Sequence, residues 1–149
     1  MRIPLILAAA LLTPLAVQGE DATPAQGTLE IRVTNIENGS GTIYVAVQDS
    51  AENWLDSDPE IKPFRDATQQ VFSTDDLLIS LEDLPPGKYA VSVFQDLDGD
   101  AELATNFIGF PKEPFGFSAP MGKFGPPKFE EAAVEFSGVD TSVEVTLNQ

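Results

Sequence analysis

The chain contains no cysteine and no histidine. Without thiols no disulfide framework can brace it, so packing alone must supply its stability, and a lipid-modified bacterial N-terminus is excluded as well. Without imidazole it has no Ser-His-Asp triad, no histidine acid/base chemistry and none of the usual zinc ligand sets. Basic residues are scarce: eight Lys and Arg stand against 24 Asp and Glu, a formal charge of -16. Nucleic acid and anionic membrane surfaces are poor partners for such a surface. The acidity serves solubility, or else a divalent-cation site, which has to be argued from spacing. Long apolar runs are also rare. Arg2 precedes one from Ile3 to Val17 that is short for a bilayer and carries Pro4 and Pro14. That is the pattern of a signal peptide, with Val17 and Gly19 flanking Gln18 ahead of a cleavage site before Glu20. Residues 1–19 therefore lie outside the fold, and loss of Arg2 leaves the mature chain at -17. The expected destination is the periplasm or the medium, with no membrane insertion once the signal is removed.

What remains, about 130 residues, suits one domain with one core. Residues 20–27 carry no periodicity and read as a flexible leader, and 28–149 read as the folded domain. From Thr28, Leu29, Ile31 and Val33 alternate with Glu30 and Arg32, the period of a half-buried strand. The turn ENGSG leads into TIYVAVQ over Thr42 to Gln48, and the pair is expected to form a hairpin across Asn38-Gly39. Residues 49–66 read as a connection with one helical turn near Trp54, where Trp54 and Phe64 cap an end of the core. Further strands are expected at Gln69–Ser73, at Leu77–Glu82, through Tyr89, Val91 and Val93, at Ala132–Ser137 and at Ser142–Leu147. About seven strands without a useful helix favour an all-β, antiparallel two-sheet sandwich. In LPPGKYAVSV, Pro86 presets a turn, Gly87 takes a backbone angle that other residues avoid, and Tyr89 enters the core with a hydroxyl able to tie back. This is similar to the turn-and-tyrosine signature of prealbumin-like and immunoglobulin-like sandwiches.

Between Gln95 and Glu131 the alternation stops, and long irregular spans in compact domains are where binding and chemistry concentrate. In DLDGDAEL the carboxylates Asp96, Asp98, Asp100 and Glu102 recur at every second position. Calcium takes six to eight oxygens, and a curled chain with this spacing brings several to one point. The start matches an EF-hand loop, but Ala101 stands at the sixth position and Phe107 at the twelfth. The segment is thus either a weak calcium site of non-EF type, with Kd on the order of 0.1 to 1 mM, or an acidic turn without metal. Downstream, Phe107, Phe110, Phe115, Phe117, Phe124 and Phe129 lie among glycines and prolines. Either these rings pack on the sandwich as a satellite core, or some of them, with Phe110, Phe115, Phe117 and Phe124 as the candidates, line a groove for a protein, peptide or glycan. GFSAP is no nucleophile elbow, because the second glycine is absent and no histidine exists to activate Ser118.

On LPPGKYAVSVFQDLDGD, IGFPKEPFGFS and GPPKFEEAAVEF, the chain from GTLEIRVTNI to the last strand resembles a family of exported bacterial proteins catalogued as domain of unknown function 2141. The resemblance implies a sandwich and export, and no reaction. Relatives of this kind carry a Leu-Asp-Thr-Asn-like segment after the acidic turn; Leu103, Thr105 and Asn106 fit it, and Ala104 replaces the aspartate, removing one oxygen ligand.

Three functional classes follow. The first is a non-catalytic binding or structural module of the cell envelope, with or without a calcium-stiffened loop. The second is an enzyme working with carboxylates alone, such as a glycosidase, drawing on Asp96, Asp98, Asp100, Glu102 and Glu113. The third is a subunit that docks through the phenylalanine-rich loop.

Overall fold

The computed structural model of the protein describes residues 25–149. Residues 1–19, expected as a signal peptide, and most of the expected leader at 20–27 lie outside the described residues. The domain is a two-layer β-sandwich. Its strands are β1 (Gly27–Thr34), β2 (Thr42–Gln48), β3 (Arg65–Gln70), β4 (Leu77–Leu84), β5 (Gly87–Asp96), β6 (Phe115–Phe117), β7 (Val134–Phe136) and β8 (Thr141–Thr146), and a single-turn helix α1 (Phe129–Ala132) precedes β7. One sheet has the order β4-β1-β8; the other has the order β3-β2-β5-β6, with β7 also paired to β5. Among the described residues no helix is long and apolar enough to cross a membrane.

The alternation read from the sequence fills the space between the layers. Leu29, Ile31 and Val33 of β1, with Val143 and Val145 of the neighbouring β8, face Ile43, Val45 and Val47 of β2 and Val91 and Val93 of β5, all in one buried cluster. Each such side chain contributes roughly 1.5–3 kcal/mol by leaving water, which is how a chain without disulfides is held together. Tyr89 is buried in this cluster, and its hydroxyl donates to the Pro85 carbonyl at 2.7 Å. Phe64 stacks on the Tyr89 ring at 5.4 Å and so closes that end of the core.

The architecture departs from the expectation in several places. β1 and β2 do not form a hairpin: β1 pairs with β4 and β8, while β2 pairs with β3 and β5. The tight turn is present, with Asn38 and Gly39 at φ of 54° and 56°, but it carries the chain from one layer to the other. Local sequence encodes a reversal; which strand then pairs with which is set by side chains far away. The decisive one is Gln95, whose Nε2 donates to the carbonyls of Glu37 and Ser40, both at 2.7 Å, while its Oε1 accepts from the Glu37 N–H at 2.9 Å. The sandwich is also not wholly antiparallel, because β1 and β8 run parallel. Gly87 does not adopt a positive φ; that role falls to Asp83 at 56°. Gly87 is needed for space, since a Cβ there would lie 2.9 Å from the Tyr89 hydroxyl. β3 begins at Arg65, not Gln69, and its side chains are mostly exposed, so this edge strand has no apolar alternation to read. Trp54 sits in a turn outside the core cluster, against Phe117 and Phe129, instead of capping the core. The eighth strand, β6, was hidden in the phenylalanine-rich span; β1 starts one residue before the expected boundary.

Gln95→Leu keeps the bulk of the side chain and strands two carbonyls and one N–H of the crossing turn. It is expected to cost about 3 kcal/mol, against about 1 kcal/mol for Tyr89→Phe, which loses a single hydrogen bond. Urea titrations of the two variants, read by tryptophan fluorescence, check this order.

Candidate functional site

The pleat of β5 turns Gln95 into the sandwich and the next residue, Asp96, outward, where its carboxylate is only 2% exposed. Thus the strand end delivers a buried acid to the base of the irregular span. Asp96 Oδ1 accepts from the Gly99 N–H at 2.6 Å and Oδ2 from the Ala101 N–H at 2.9 Å. Glu113, 7% exposed, closes the same loop from its other end. Its Oε1 accepts from Leu97 N–H at 2.8 Å and its Oε2 from Ala104 N–H at 2.9 Å. Two carboxylates therefore take up four backbone donors that would otherwise need water, and clamp residues 97–104 to the end of the sheet. Positive φ at Gly99 and Ala101, 83° and 64°, lets the backbone curl around Asp96.

Electrostatics separate the acids. Burial acts most strongly on Asp96 and pushes its pKa up, but hydrogen bonds from Gly99, Ala101, Asp98 and Asp100 together outweigh it and hold the group below its ordinary 3.8. Asp98 moves the other way. The Asp100 N–H, the largest influence, lowers it, yet partial desolvation and repulsion from Asp100, Glu113 and Asp96 prevail and leave it raised.

Of the four carboxylates at alternate positions, the structure brings together only Asp96 and Asp98, and it adds Glu113. One oxygen from each of these three lies within 4.8 Å of the others. Asp100 and Glu102 are exposed and outside this group; Asp100 caps the Glu102 N–H at 2.8 Å. Two of the four expected ligands thus lie together with Glu113, since a curl tight enough to satisfy Asp96 throws the next two acids outward. Glu113 was visible only as one more acid; its separation of 17 residues from Asp96 hides the clamp in the sequence. For glycosidase chemistry the geometry offers little, because Asp96 and Glu113 are buried and committed to backbone donors, leaving Asp98 as the one exposed acid of the three.

Beyond the clamp the chain forms a small hairpin. Thr105 and Pro111 bridge, the Asn106 N–H donates to Phe110 O at 2.8 Å, and Asn106 Oδ1 accepts from the N–H groups of Ile108 and Phe110, both at 3.0 Å. Gly109, at φ 81°, makes the reversal. Its tip is apolar and open: Phe107 is 98% exposed, Ile108 73% and Phe110 57%. The candidate rings thus divide. Phe115 is buried and Phe117 half-buried on the outer face of the larger sheet, where Phe115 meets Phe110 at 6.4 Å and Phe117 at 5.9 Å. Phe124 is fully exposed on a second small hairpin closed by Gly122 and Gly125. Trp54 packs edge-on against Phe117 and Phe129 and donates its Nε1 to Pro127 O at 2.8 Å. Ser118 Oγ accepts from Val91 N–H at 2.9 Å and donates to Ala132 O at 2.7 Å, a structural role that leaves no free nucleophile.

Comparison with known proteins adds one match. A family model described as "Uncharacterized protein conserved in bacteria (DUF2141)" matches residues 31–144. No curated protein and no solved structure matches the chain.

The clamp yields a prediction with a sign. A carboxyl whose pKa is lowered on folding stabilises the native state above its unfolded value, near 3.9, and loses that contribution as pH falls through its lower folded value. Asp96→Asn, which replaces one acceptor by an NH2 donor, is expected to cost about 2 kcal/mol near pH 7. The difference between wild type and variant should close only below about pH 4. Asp98→Asn relieves repulsion and is expected to leave stability unchanged or raised. Denaturant titrations across pH 3–7 measure both.

Proposed function

We propose, from the premise that the chain belongs to the uncharacterised bacterial family DUF2141, that it is an exported, non-catalytic binding module of the cell envelope whose 105–111 hairpin docks into an apolar recess of a partner protein. The observation that carries the reading is the pair Phe107 and Ile108, 98% and 73% exposed at the tip of a hairpin. An exposed apolar side chain on a loose loop is a solubility hazard. On a loop clamped by two buried carboxylates it is a preorganised contact, because the entropy of ordering the loop is already spent on folding. The acids around its base, Asp98, Asp100 and Glu102, and the overall charge of -16 suit a recess with a basic rim. Export is supported by the N-terminal apolar run after Arg2, and the non-catalytic reading by the commitment of the buried acids to structure.

A photo-crosslinking residue placed at Phe107 in the native bacterium is expected to give one adduct of defined mass. The same probe at Val139, which is also exposed but lies on the turn before β8, should give none. Phe107→Ser with Ile108→Ser should abolish an adduct from position 110 while leaving the melting temperature within about 2 °C. Equal adducts from 107 and 139 would remove the docking reading.

A second reading is favoured by the convergence of Asp96, Asp98 and Glu113 within 4.8 Å. Calcium bound weakly there would stiffen the loop beneath the tip. For a Kd of roughly 0.2 mM, 2 mM calcium adds about 1.4 kcal/mol. A rise of about 3 °C or more in melting temperature over a chelated control is then expected, and its disappearance in Asp98→Asn assigns the site. An unchanged melt would discard the calcium reading and leave the docking reading intact.

A further inference from the structure

An asparagine followed by glycine can react with its own chain. The glycine nitrogen attacks the side-chain Cγ, the new N–Cγ bond closes a five-membered succinimide, and the Cγ–Nδ2 bond breaks with release of ammonia. Water, the one co-reactant, then opens the ring at either carbonyl and leaves aspartate or isoaspartate. Glycine favours the attack because no Cβ hinders the approach of its nitrogen. Of the five asparagines, Asn35, Asn53, Asn106 and Asn148 precede Ile36, Trp54, Phe107 and Gln149, so Asn38, before Gly39, alone has an unhindered neighbour. Asn38 is also exposed to water.

The closed turn opposes this chemistry. Asn38 has φ of 54° and Gly39 of 56°, the left-handed region at both positions. There the following nitrogen lies nearly opposite Cβ across the Cα–C bond, whereas ring closure needs the two nearly eclipsed. The peptide is not free to rotate, because Gly39 packs on the connection between β3 and β4: a Cβ there would lie 2.9 Å from the Ser73 carbonyl carbon. Both flanks are tied to Gln95, which holds the N–H and carbonyl of Glu37 and the carbonyl of Ser40. The side-chain amide is occupied as well, with Asn38 Nδ2 donating to Glu37 Oε1 at 3.1 Å.

We propose that Asn38 is a modification site, converted to aspartate and isoaspartate by attack of its own backbone, which the closed turn holds unreactive and which only release from Gln95 exposes. The converted turn does not close again. Isoaspartate adds a methylene to the main chain, and the carbonyls of Glu37 and Ser40, each 2.7 Å from the one Nε2 before conversion, move out of its reach. Either product sets a second carboxylate against Glu37, where an amide had donated. Gly41 lies so close to the end of β5 that a Cβ would strike the Asp96 carbonyl oxygen, so a displaced turn presses on the base of the acidic loop. The crossing turn is thus a one-way latch on the strand end that supports the clamp. The inference does not rest on the docking reading.

The test is ageing of the intact protein in mildly alkaline buffer beside a capped peptide of residues 36–42. Conversion at residue 38 is followed by peptide mass mapping and by enzymatic methylation of isoaspartate. The native protein is expected to convert at least about tenfold more slowly than the peptide, and Gln95→Leu at least about fivefold faster than wild type. The converted fraction should melt below the unconverted one, whereas Asn38→Gly, which keeps the left-handed turn and lacks the amide, should age without loss of melting temperature. Equal rates in native protein and peptide would overturn the proposal, as would a folded Gln95→Leu that converts no faster than wild type. If that variant fails to fold, the wild type decides. On warming in steps below its unfolding transition, conversion at residue 38 should accelerate together with hydrogen exchange at the Glu37 N–H, the amide that Gln95 Oε1 holds. Conversion that accelerates while this amide stays protected would overturn the proposal.

Discussion

Gln95 and Asp96 are consecutive residues at the end of β5, and the alternation of the strand sends one into the sandwich and the other out of it. Each arrives buried and polar where a neighbouring backbone has unpaired groups. Gln95 meets those of the turn that crosses between the sheets, and Asp96 meets those of the acidic loop. A buried amide or carboxylate is costly unless fully satisfied, so these two side chains permit few alternative loop conformations. The connection of the layers and the presentation of the hairpin both depend on this strand end.

The core was legible because its signal is local and repetitive. Leu29, Ile31 and Val33, or Val143 and Val145, announce themselves at period two whatever they pair with. Pairing itself is not local. Asn38-Gly39 has the chemistry of a hairpin turn and the backbone angles to match, yet the chain changes layer there because Gln95, 57 residues from Asn38, secures the turn from inside. β3 leaves no mark at Arg65 because exposed polar residues at a sheet edge carry no periodicity, whereas Val71 and Phe72 just beyond its end have the apolar character of a strand.

The candidate site shows the same division. An acidic loop was visible as a run of alternating carboxylates, but alternation says nothing about which acids turn inward. Backbone curl decided that, and it recruited Glu113 from the far side of the hairpin. The phenylalanines looked alike in sequence and have different fates. Phe115 and Phe117 lie on a strand and pack, whereas Phe107 and Phe124 lie at reversals where no surface reaches them.

The parallel pairing of β1 with β8 joins Leu29 to Thr141, so the central strand of the smaller sheet finds one of its two neighbours at the opposite end of the polypeptide. Contacts of such long range make for slow folding, because the loop must close before any pairing energy is returned. A ribosome releases β1 long before β8 exists, and until then one flank of β1 has nothing to bond. The smaller sheet can therefore close only after β8 has been made, so its completion comes late whatever the rest of the chain has already formed.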